Sequence, residues 1–498
     1  MNSSVIYKKT ESIKYDRKIM SLRNLTISGI KWSSVSQFGK QGLSFVVTAI
    51  LAHLLNPSDY GLIGMATVVI GFMQLFKDLG TSAAIIQRQN LSQTLISSIF
   101  WMNAGFGVLM MGLAWLIAPL ISLFYYEPRL TLVLRVLSFS FFISGLSIVQ
   151  NALLQKKLCF DMLTKSEIIS AVFGSIIGIT MAAKGFGVWS LVGQTITGNI
   201  CLTICLWISS EWRPSRSFSC SEIRTISSYS LNLTGYSIFN YFARNADYII
   251  IGRYLGAQDL GYYTLAYRLM LYPLQSVTSV IGRVLFPIFS QIQNDNERFR
   301  RVYLKICFST ALITFPMMAG LWVVSESFIL SIFGEKWSSV IPLLMILAPV
   351  GMIQSVGSTV GAIYQAKGRT DWMFRWGIAT GTFASISFII GMRWGIMGIA
   401  WTYFLVSLIV FAYPNFAIPF RLIELGFQKF LSVLWRPFVC SMLMFSILLI
   451  LQFLLPGQLL AIWELSILTV SGIAMYGVIT WMFNRQQLNE VIRAARMN

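Results

Sequence analysis

The chain alternates between long apolar stretches and short polar connections along most of its length. About fourteen of these stretches reach the roughly 20 residues that a helix needs to cross a bilayer. No period-two alternation, the pattern of a membrane β-barrel, is visible. The pattern therefore predicts an all-α polytopic membrane protein with about 14 transmembrane helices. The predicted spans are 28–55, 60–86, 93–125, 130–155, 162–183, 186–209, 226–255, 260–290, 302–333, 338–365, 373–392, 395–417, 434–455 and 460–483.

Three short sequence matches recur in the same order in two parts of the chain. LNPSDYG at 55–61 matches LGAQDLG at 255–261, and each is expected to form a tight turn between two helices. Two further pairs of matching segments are 151–161 with 361–371 and 185–189 with 395–401. Because the offset stays near 200–210 residues, the matches indicate a duplicated unit of six helices. Six is even, so both copies would enter the membrane with the same orientation, as in transporters built from parallel repeats.

This duplication divides the chain into five predicted parts. They are a cytoplasmic arm (1–27), an N-terminal six-helix half (28–209), a cytoplasmic linker (210–225), a C-terminal six-helix half (226–417), and two further helices with a cytoplasmic tail (418–498). The last two helices lie outside the repeat.

Composition supports a membrane protein and argues against several other classes. The chain is 56% hydrophobic and 11% charged, with a mean hydropathy of +0.68, which soluble domains do not reach. Its six cysteines form no CxxC pair, and its single histidine, His53, has no catalytic motif beside it. We therefore expect no metal, no cofactor and no enzymatic activity.

The net charge of +19 follows from the predicted topology. Lys and Arg concentrate at both termini and at alternate connections, while the connections on the other side carry few of them. The positive-inside rule then places both termini in the cytoplasm. No aromatic-basic motif indicates a nucleic-acid partner.

Apart from those at connections and helix ends, five cations fall inside the predicted spans: Lys40, Lys77, Arg244, Arg268 and Arg283. All five lie in the first two helices of a half. Charged residues at membrane depth are expensive and usually functional. Bringing these helices together would create a positively charged cavity between the halves, and phosphate is the plainest ligand for such a Lys/Arg cluster.

Few carboxylates accompany these cations. Asp78 adjoins Lys77, and Asp247 follows Arg244 by three residues, a spacing that places both on one helical face and favours mutual neutralisation. Asp78 and Asp247 are therefore candidate sites for a coupling proton or Na⁺.

Residues 54–88 and 246–269 resemble the matching segments of bacterial polysaccharide repeat-unit flippases. These are the Wzx-like members of the multidrug/oligosaccharidyl-lipid/polysaccharide (MOP) superfamily, and the colanic-acid exporter branch is the most similar. The resemblance implies a MOP-type transporter fold. The resemblance covers nearly the whole chain. It implies that the protein flips an undecaprenyl-diphosphate-linked oligosaccharide across the inner membrane for O-antigen, capsule or exopolysaccharide synthesis, by alternating access. It further implies that the cavity cations are Lys40, Lys77, Arg244 and Arg268, with Arg283 as a further candidate. The implied partners are this lipid-linked oligosaccharide, membrane lipids, and a polysaccharide polymerase with its chain-length machinery.

Three alternatives remain. A lipid II-type flippase shares the fold and the diphosphate chemistry, and only the resemblance of 54–88 and 246–269 argues against it. A multidrug exporter would need acidic residues for cationic drugs, whereas the first span carries Lys40 and no carboxylate. A membrane enzyme such as a polymerase would need a large periplasmic loop, and every predicted periplasmic connection is short.

Overall fold

The computed structural model describes residues 39, 41–76, 80–88, 91–219, 231–456 and 459–496. Side chains are described for the same residues except 231–237, 277–284, 286–287 and 484–496. Of the predicted site residues, Lys40, Lys77 and Asp78 lie outside the described residues. For Arg283 only the backbone is described. The predicted arm, 1–27, also lies outside.

Helices account for most of the described chain, and no strand occurs within it. The N-terminal group comprises α1 (Gln41–Leu54), α2 (Pro57–Gln74), α3 (Thr81–Gln87), α4 (Gln93–Tyr125), α5 (Arg129–Gly145), α6 (Ile148–Lys156), α7 (Phe160–Ala183) and α8 (Val188–Ser209). The C-terminal group comprises α9 (Leu231–Arg244), α10 (Ala246–Tyr254), α11 (Gly256–Gln291), α12 (Asn296–Val323), α13 (Ser325–Ile332), α14 (Val340–Gly357), α15 (Val360–Ala366), α16 (Thr370–Gly391), α17 (Gly395–Leu405) and α18 (Ala412–Phe420). Two last helices follow, α19 (Phe427–Leu454) and α20 (Ala461–Arg496).

The described helices agree with a membrane-spanning bundle. Eight of them are long and apolar enough to cross a bilayer, or nine if the bent pair α5–α6 forms one span. Helices also occupy each of the predicted apolar stretches. The number of fourteen spans stays a prediction.

The turn predicted at 255–261 is shorter in the structure. Only Leu255 separates α10 from α11, and Gly256 has a φ of 88°. This left-handed conformation is one that glycine adopts at little cost. Residues 257–261 already form the start of α11, so the polar residues read as a turn belong to a helix N-terminus.

The two matching segments meet at the crossing of α2 and α11. A Cβ atom on Gly61 would lie 1.7 Å from the carbonyl oxygen of Ala257, and one on Gly261 would lie 1.9 Å from that of Pro57. The contact is therefore reciprocal between positions 200 residues apart. Because neither glycine carries a side chain, the two helix backbones touch, as at other small-residue crossings in membranes. We call this end of the bundle, where α1 meets α2 and α10 meets α11, the turn end.

In the second matching pair, 151–161 and 361–371, one lysine of each segment binds the C-terminal end of a helix, although the two lysines are offset by one position in the match. The Lys156 ammonium, at the end of α6, donates to the carbonyl oxygens of Ile85 and Arg88. The Lys367 ammonium, just after α15, donates to the carbonyl oxygen of Gln293. Each lysine thus binds carbonyl groups at or just beyond the C-terminal end of a helix, where cations are favourable. A similar contact therefore occurs in both groups, made by lysines that do not align, and the division at 28–209 and 226–417 stays a prediction.

The first part of the predicted linker lies against α4. Gln93 donates to the carbonyl oxygen of Arg213 at 2.8 Å and accepts from the Trp212 indole at 2.7 Å. The hydroxyls of Ser97 and Ser98 accept from the backbone amides of Ser215 and Ser219. Residues 210–219 are therefore attached to the N-terminal group.

Candidate substrate-binding site

Arg244 and Arg268 are the two predicted cavity cations whose side chains are described, and both are exposed. Arg244 ends α9, about 15 Å along the helix axis from Tyr254, and Arg268 lies about 18 Å along α11 from Gly256. With the turn end at a membrane surface, as the topology predicts, both residues would lie near the middle of a hydrocarbon core about 30 Å thick. The Arg268 guanidinium is near enough to interact electrostatically with the hydroxyls of Tyr60 in α2 and Tyr248 in α10. Arg268 therefore lies where the two groups of helices meet.

Arg283 lies much farther along α11. Its backbone is about 40 Å from Gly256 along a helix that continues past Pro273 to Gln291. This distance exceeds the thickness of the hydrocarbon core, so the backbone position is near the opposite membrane surface.

Asp247 is buried and is held by neutral groups. One carboxylate oxygen accepts from the backbone amide of Tyr248 at 2.8 Å, and the other accepts from the Tyr263 hydroxyl at 3.0 Å. Between these two described side chains, no ion pair joins Arg244 to Asp247. The neutralisation predicted from their spacing is therefore wrong. The reason is the break at Asn245, which separates α9 from α10 and turns the two side chains to different environments.

A cluster of tyrosines surrounds Asp247. The ring of Tyr263 stacks on Tyr267 with centroids 5.8 Å apart and meets Tyr248 edge-on at 6.0 Å. The exposed Arg244 interacts electrostatically with the hydroxyl of Tyr267, so the arginine lies near this cluster. Sequence reasoning missed these tyrosines because they lie on two helices and form no motif.

A polar seam joins α1 to α11. The hydroxyl of Tyr272 is 3.1 Å from that of Ser44 and 3.2 Å from that of Thr48. Gln41 donates to the backbone carbonyl of Tyr272 and accepts from Ser276. Hydrogen bonds at membrane depth have little competition from water, so this seam holds the first helix against the C-terminal group.

The turn end is closed by side chains from the connection between α13 and α14. Trp337 is 0% exposed and donates its indole N–H to the carbonyl oxygen of Ala52, and its ring meets that of Tyr60 edge-on at 5.3 Å. The Lys336 ammonium donates to the carbonyl oxygens of His53 and Leu55 at 2.7 and 2.8 Å. Burial lowers the pKa of Lys336 below its usual value, and the charge of Asp59 opposes that shift.

A second contact at the turn end joins α4 to α10. The Arg253 guanidinium donates to the Tyr126 hydroxyl at 3.0 Å and lies 3.9 Å from the centre of its ring. A Cβ on Gly252 would lie 2.8 Å from the ring of Tyr125. The N- and C-terminal groups are therefore packed together at the turn end. Of the residues that do this, only the glycines of the two turn motifs could have been found from the sequence.

Among the groups of His, Cys, Asp and Glu in the described residues, none is arranged to hold a metal ion. The site instead combines two exposed arginines with a buried carboxylate. Guanidinium groups are well suited to bidentate hydrogen bonds with an anion such as phosphate.

Comparison with solved structures defines the class of the protein. The fold matches that of the lipid II flippase MurJ in an inward closed conformation, with a TM-score of 0.75 and 16% identity over 92% of this chain and 100% of that one. It also matches an inward-facing multidrug resistance MATE transporter of the MOP superfamily, with a TM-score of 0.63 and 16% identity over 78% of this chain and 98% of that one. The protein is thus an all-α, multi-pass membrane protein with the MOP transporter fold.

Sequence comparison gives the family. The profile described as "Polysaccharide biosynthesis protein" matches residues 50–342. The chain is 32% identical to the lipopolysaccharide biosynthesis protein WzxC of Escherichia coli K12, covering 88% of this chain and 90% of that protein. It is 29% identical to the teichuronic acid biosynthesis protein TuaB of Bacillus subtilis, covering 84% and 88%. The chain belongs to this polysaccharide biosynthesis family, and the predicted resemblance to its flippases is confirmed.

Proposed function

We propose that the protein flips undecaprenyl-diphosphate-linked oligosaccharide repeat units from the cytoplasmic to the periplasmic leaflet of the bacterial inner membrane. The observation that carries this proposal is the pair of exposed arginines, Arg244 and Arg268, at the middle depth of the bilayer. A lipid that changes leaflets must bring its diphosphate through this depth. Two guanidinium groups there replace the water that the diphosphate loses.

In this mechanism the oligosaccharide and diphosphate occupy the space between the two six-helix halves, while the polyprenyl chain stays in the membrane. The turn end would face the periplasm, because both termini are proposed to be cytoplasmic. The contacts of Trp337 and Lys336 with the end of α1 then close the periplasmic side and leave loading to the cytoplasmic side. Alternating access requires these contacts to break before release. The protein acts without a cofactor and makes or breaks no covalent bond.

Two sources of energy fit the site. The membrane potential, negative inside, favours outward movement of an anion by about 2.3 kcal/mol per charge per 100 mV. Asp247 supplies a second source if it binds a proton or Na⁺ in one state and releases it in another. Its burial among tyrosines suits that role, because a buried carboxylate has a strong preference for a bound cation. Asp78 is a further candidate from the sequence.

Released repeat units would pass to a polysaccharide polymerase and its chain-length machinery. The second candidate function is the flipping of lipid II, and the observation that favours it is the match to the fold of MurJ over the whole of that chain. The two substrates share a polyprenyl diphosphate and differ in their sugars, so the arginine pair suits both.

A complementation experiment tests the proposal. The chain is expressed in a bacterium lacking its own repeat-unit flippase and, separately, in one depleted of its lipid II flippase. We expect restored surface polysaccharide in the first strain and no rescue of growth in the second. Rescue of the second strain alone would favour the lipid II function, and rescue of neither would contradict both.

A further inference from the structure

Arg135 is a cation on an otherwise apolar face of α5. Leu132, Phe139 and Phe142 share this face, because they follow one another and Arg135 at spacings of three and four residues, and all three are exposed. The helix itself packs against α2, α4 and α8, which all belong to the N-terminal group. Exposed apolar side chains on a membrane-spanning helix contact lipid chains, so Arg135 lies on a lipid-facing surface.

Trp115 of α4 holds the Arg135 side chain in place. The guanidinium carbon of Arg135 lies 5.0 Å from the centre of the Trp115 ring, within the range of a cation–π interaction. The indole N–H of Trp115 donates to the backbone carbonyl oxygen of Arg135 at 3.1 Å. The exposed tryptophan is therefore fixed to α5 beside the guanidinium.

The Arg135 guanidinium has no counter-charge among the described residues. Its Nε is buried and has no hydrogen-bond partner, and no described carboxylate pairs with it. Arg129 at the start of the same helix differs, because Glu127 accepts from it twice, at 2.9 and 3.2 Å. Arginine stays charged in proteins, so Arg135 leaves one positive charge uncompensated at the lipid surface.

The depth of Arg135 matches that of a phospholipid headgroup. Arg135 is six residues, or about 9 Å, from Arg129, which begins α5 beside the turn-end residue Tyr126. Side chains on a helix lean toward its N-terminus, so the guanidinium is directed toward the membrane surface at the turn end. An arginine directed in this way reaches the surface at which phospholipid phosphates lie.

The chemistry of the site distinguishes between lipids. A guanidinium binds phosphate oxygens well, and the exposed face of α5 offers apolar contacts to the acyl chains. A zwitterionic lipid would bring its own ammonium group near the guanidinium, whereas an anionic lipid brings only negative charge. Basic sites between transmembrane helices bind anionic headgroups in this way.

We propose that Arg135 and Trp115 form a binding site for an anionic phospholipid of the leaflet at the turn end. The phosphodiester binds the guanidinium, and the acyl chains lie along Leu132 and Phe139. The bound lipid then bridges α4 and α5 on the outside of the N-terminal group. This site is separate from the arginines to which the proposed function assigns the diphosphate.

Native mass spectrometry of the full chain in detergent tests the site, with phosphatidylglycerol and phosphatidylethanolamine of identical acyl chains as probes. Arg135→Gln should weaken phosphatidylglycerol binding by about tenfold or more and leave phosphatidylethanolamine binding unchanged, because a hydrogen bond to a charged group is lost. Arg129→Gln is the matched control on the same helix and should bind both lipids as the parent chain does. An unchanged lipid preference in Arg135→Gln, or an equal loss in both variants, would overturn the inference.

Two competitors distinguish the possible sources of the phosphate. Inorganic phosphate at the same concentration should not displace phosphatidylglycerol, because it lacks acyl chains. Undecaprenyl diphosphate should displace it no better than an equal amount of unlabelled phosphatidylglycerol. Displacement by inorganic phosphate would show a simple anion site, and preferential displacement by undecaprenyl diphosphate would show a substrate site. Either result would contradict the proposal.

A second measurement needs no substitution of Arg135. A photo-reactive diazirine amino acid replaces Leu132 or, as the control, the exposed Ile473 of α20. In liposomes with equal amounts of the two phospholipids, we expect adducts at position 132 to be enriched in phosphatidylglycerol several-fold over those at position 473. Equal proportions at the two positions would exclude a specific lipid at this face.

Discussion

The indole N–H of Trp337 donates a 2.9 Å hydrogen bond to the carbonyl oxygen of Ala52, and the two residues are 285 positions apart in the chain. The bond joins the connection after α13 to the last turn of α1, whose carbonyl groups have few partners within the helix. Both residues are 0% exposed. The presence of this hydrogen bond therefore indicates that the turn end is closed.

Trp337→Phe should loosen the turn end without unfolding the protein. A phenyl ring replaces the indole, so an aromatic ring remains. One hydrogen bond worth about 1 kcal/mol is lost, and the Ala52 carbonyl is left without that donor. An introduced cysteine at Ala52, in a chain otherwise free of cysteine, should then react several times faster with a maleimide. A reaction rate unchanged from that of the Trp337 parent would mean that this contact does not control access.

The glycine crossing should be intolerant of a single methyl group. Gly61→Ala forces α2 away from the backbone of Ala257, and overpacking of this kind costs about 1–3 kcal/mol, or more where backbone must move. We expect a lower melting temperature in detergent and the same loss for Gly261→Ala. The double variant should lose less than the sum, because one separation relieves both contacts.

Gly112→Ala in α4 is the matched control for the crossing, because no atom lies within 4 Å of a Cβ placed there. It should leave the melting temperature unchanged or slightly raised. Because helix propensity favours alanine over glycine, equal destabilisation by the Gly61 and Gly112 substitutions would show that the loss does not come from the close contact at the crossing.

Arg268→Ala should abolish surface polysaccharide while membrane abundance stays normal. Arg268→Lys should restore export only in part, because an ammonium lacks the bidentate fork that a guanidinium offers to phosphate. Arg129→Ala is the control: this arginine pairs with Glu127 near the membrane surface, where an ion pair is worth at most about 1 kcal/mol. Normal export by Arg268→Ala would remove the main support for the anion site.

Arg244→Ala should also abolish export. We expect this loss to come from the missing guanidinium and not from an unpaired Asp247. Since Asp247 takes its hydrogen bonds from Tyr248 and Tyr263, it loses no partner when Arg244 is removed. The double variant Arg244→Ala/Asp247→Ala should therefore remain inactive. Recovery of export in the double variant would show that Arg244 acts as a structural partner and that the diphosphate binds elsewhere.

Asp247→Asn tests the coupling site. The asparagine can keep the acceptor for Tyr263 but carries no charge, so we expect normal abundance and a loss of dependence on the proton or Na⁺ gradient. Flipping of a fluorescent lipid-linked oligosaccharide in proteoliposomes with imposed gradients measures this. Tyr263→Phe, which keeps the carboxylate but removes its hydroxyl donor, should retain the gradient dependence. If Asp247→Asn responds to the gradients as the parent chain does, the coupling site is elsewhere.

The sequence predicts helix positions well, because an apolar stretch bounded by polar residues leaves little choice in a membrane. The span predicted at 93–125 is the helix Gln93–Tyr125. The turn predicted at 255–261 is longer than the observed turn, because polar residues are common both in turns and in the first turn of a helix. Neither glycine nor proline marks the break at Asn245, so the separation of Arg244 from Asp247 could not be predicted.

The candidate site was predictable only in part. Charges at membrane depth identify Arg244 and Arg268 without any structure, because a bilayer penalises them. The contact of Tyr263 with Asp247 and that of Trp337 with Ala52 depend on how helices rotate and pack. Tyrosine and tryptophan are ordinary residues in membrane helices, so no local pattern distinguishes these two from the others.

The crossing of α2 and α11 also determines how the bundle can move. Backbone atoms touch at Gly61 and Gly261, and the side chains of Leu260 and Thr264 pack against Gly64, so on the α2 side the crossing is lined by glycines. The contact lies at one end of α11, a helix of 36 residues and therefore about 54 Å in length. A tilt of about 10° around this fulcrum would displace the far end of α11 by about 9 Å. In the proposed alternating-access mechanism, a small rotation at two glycines would thus open a space wide enough for a sugar chain.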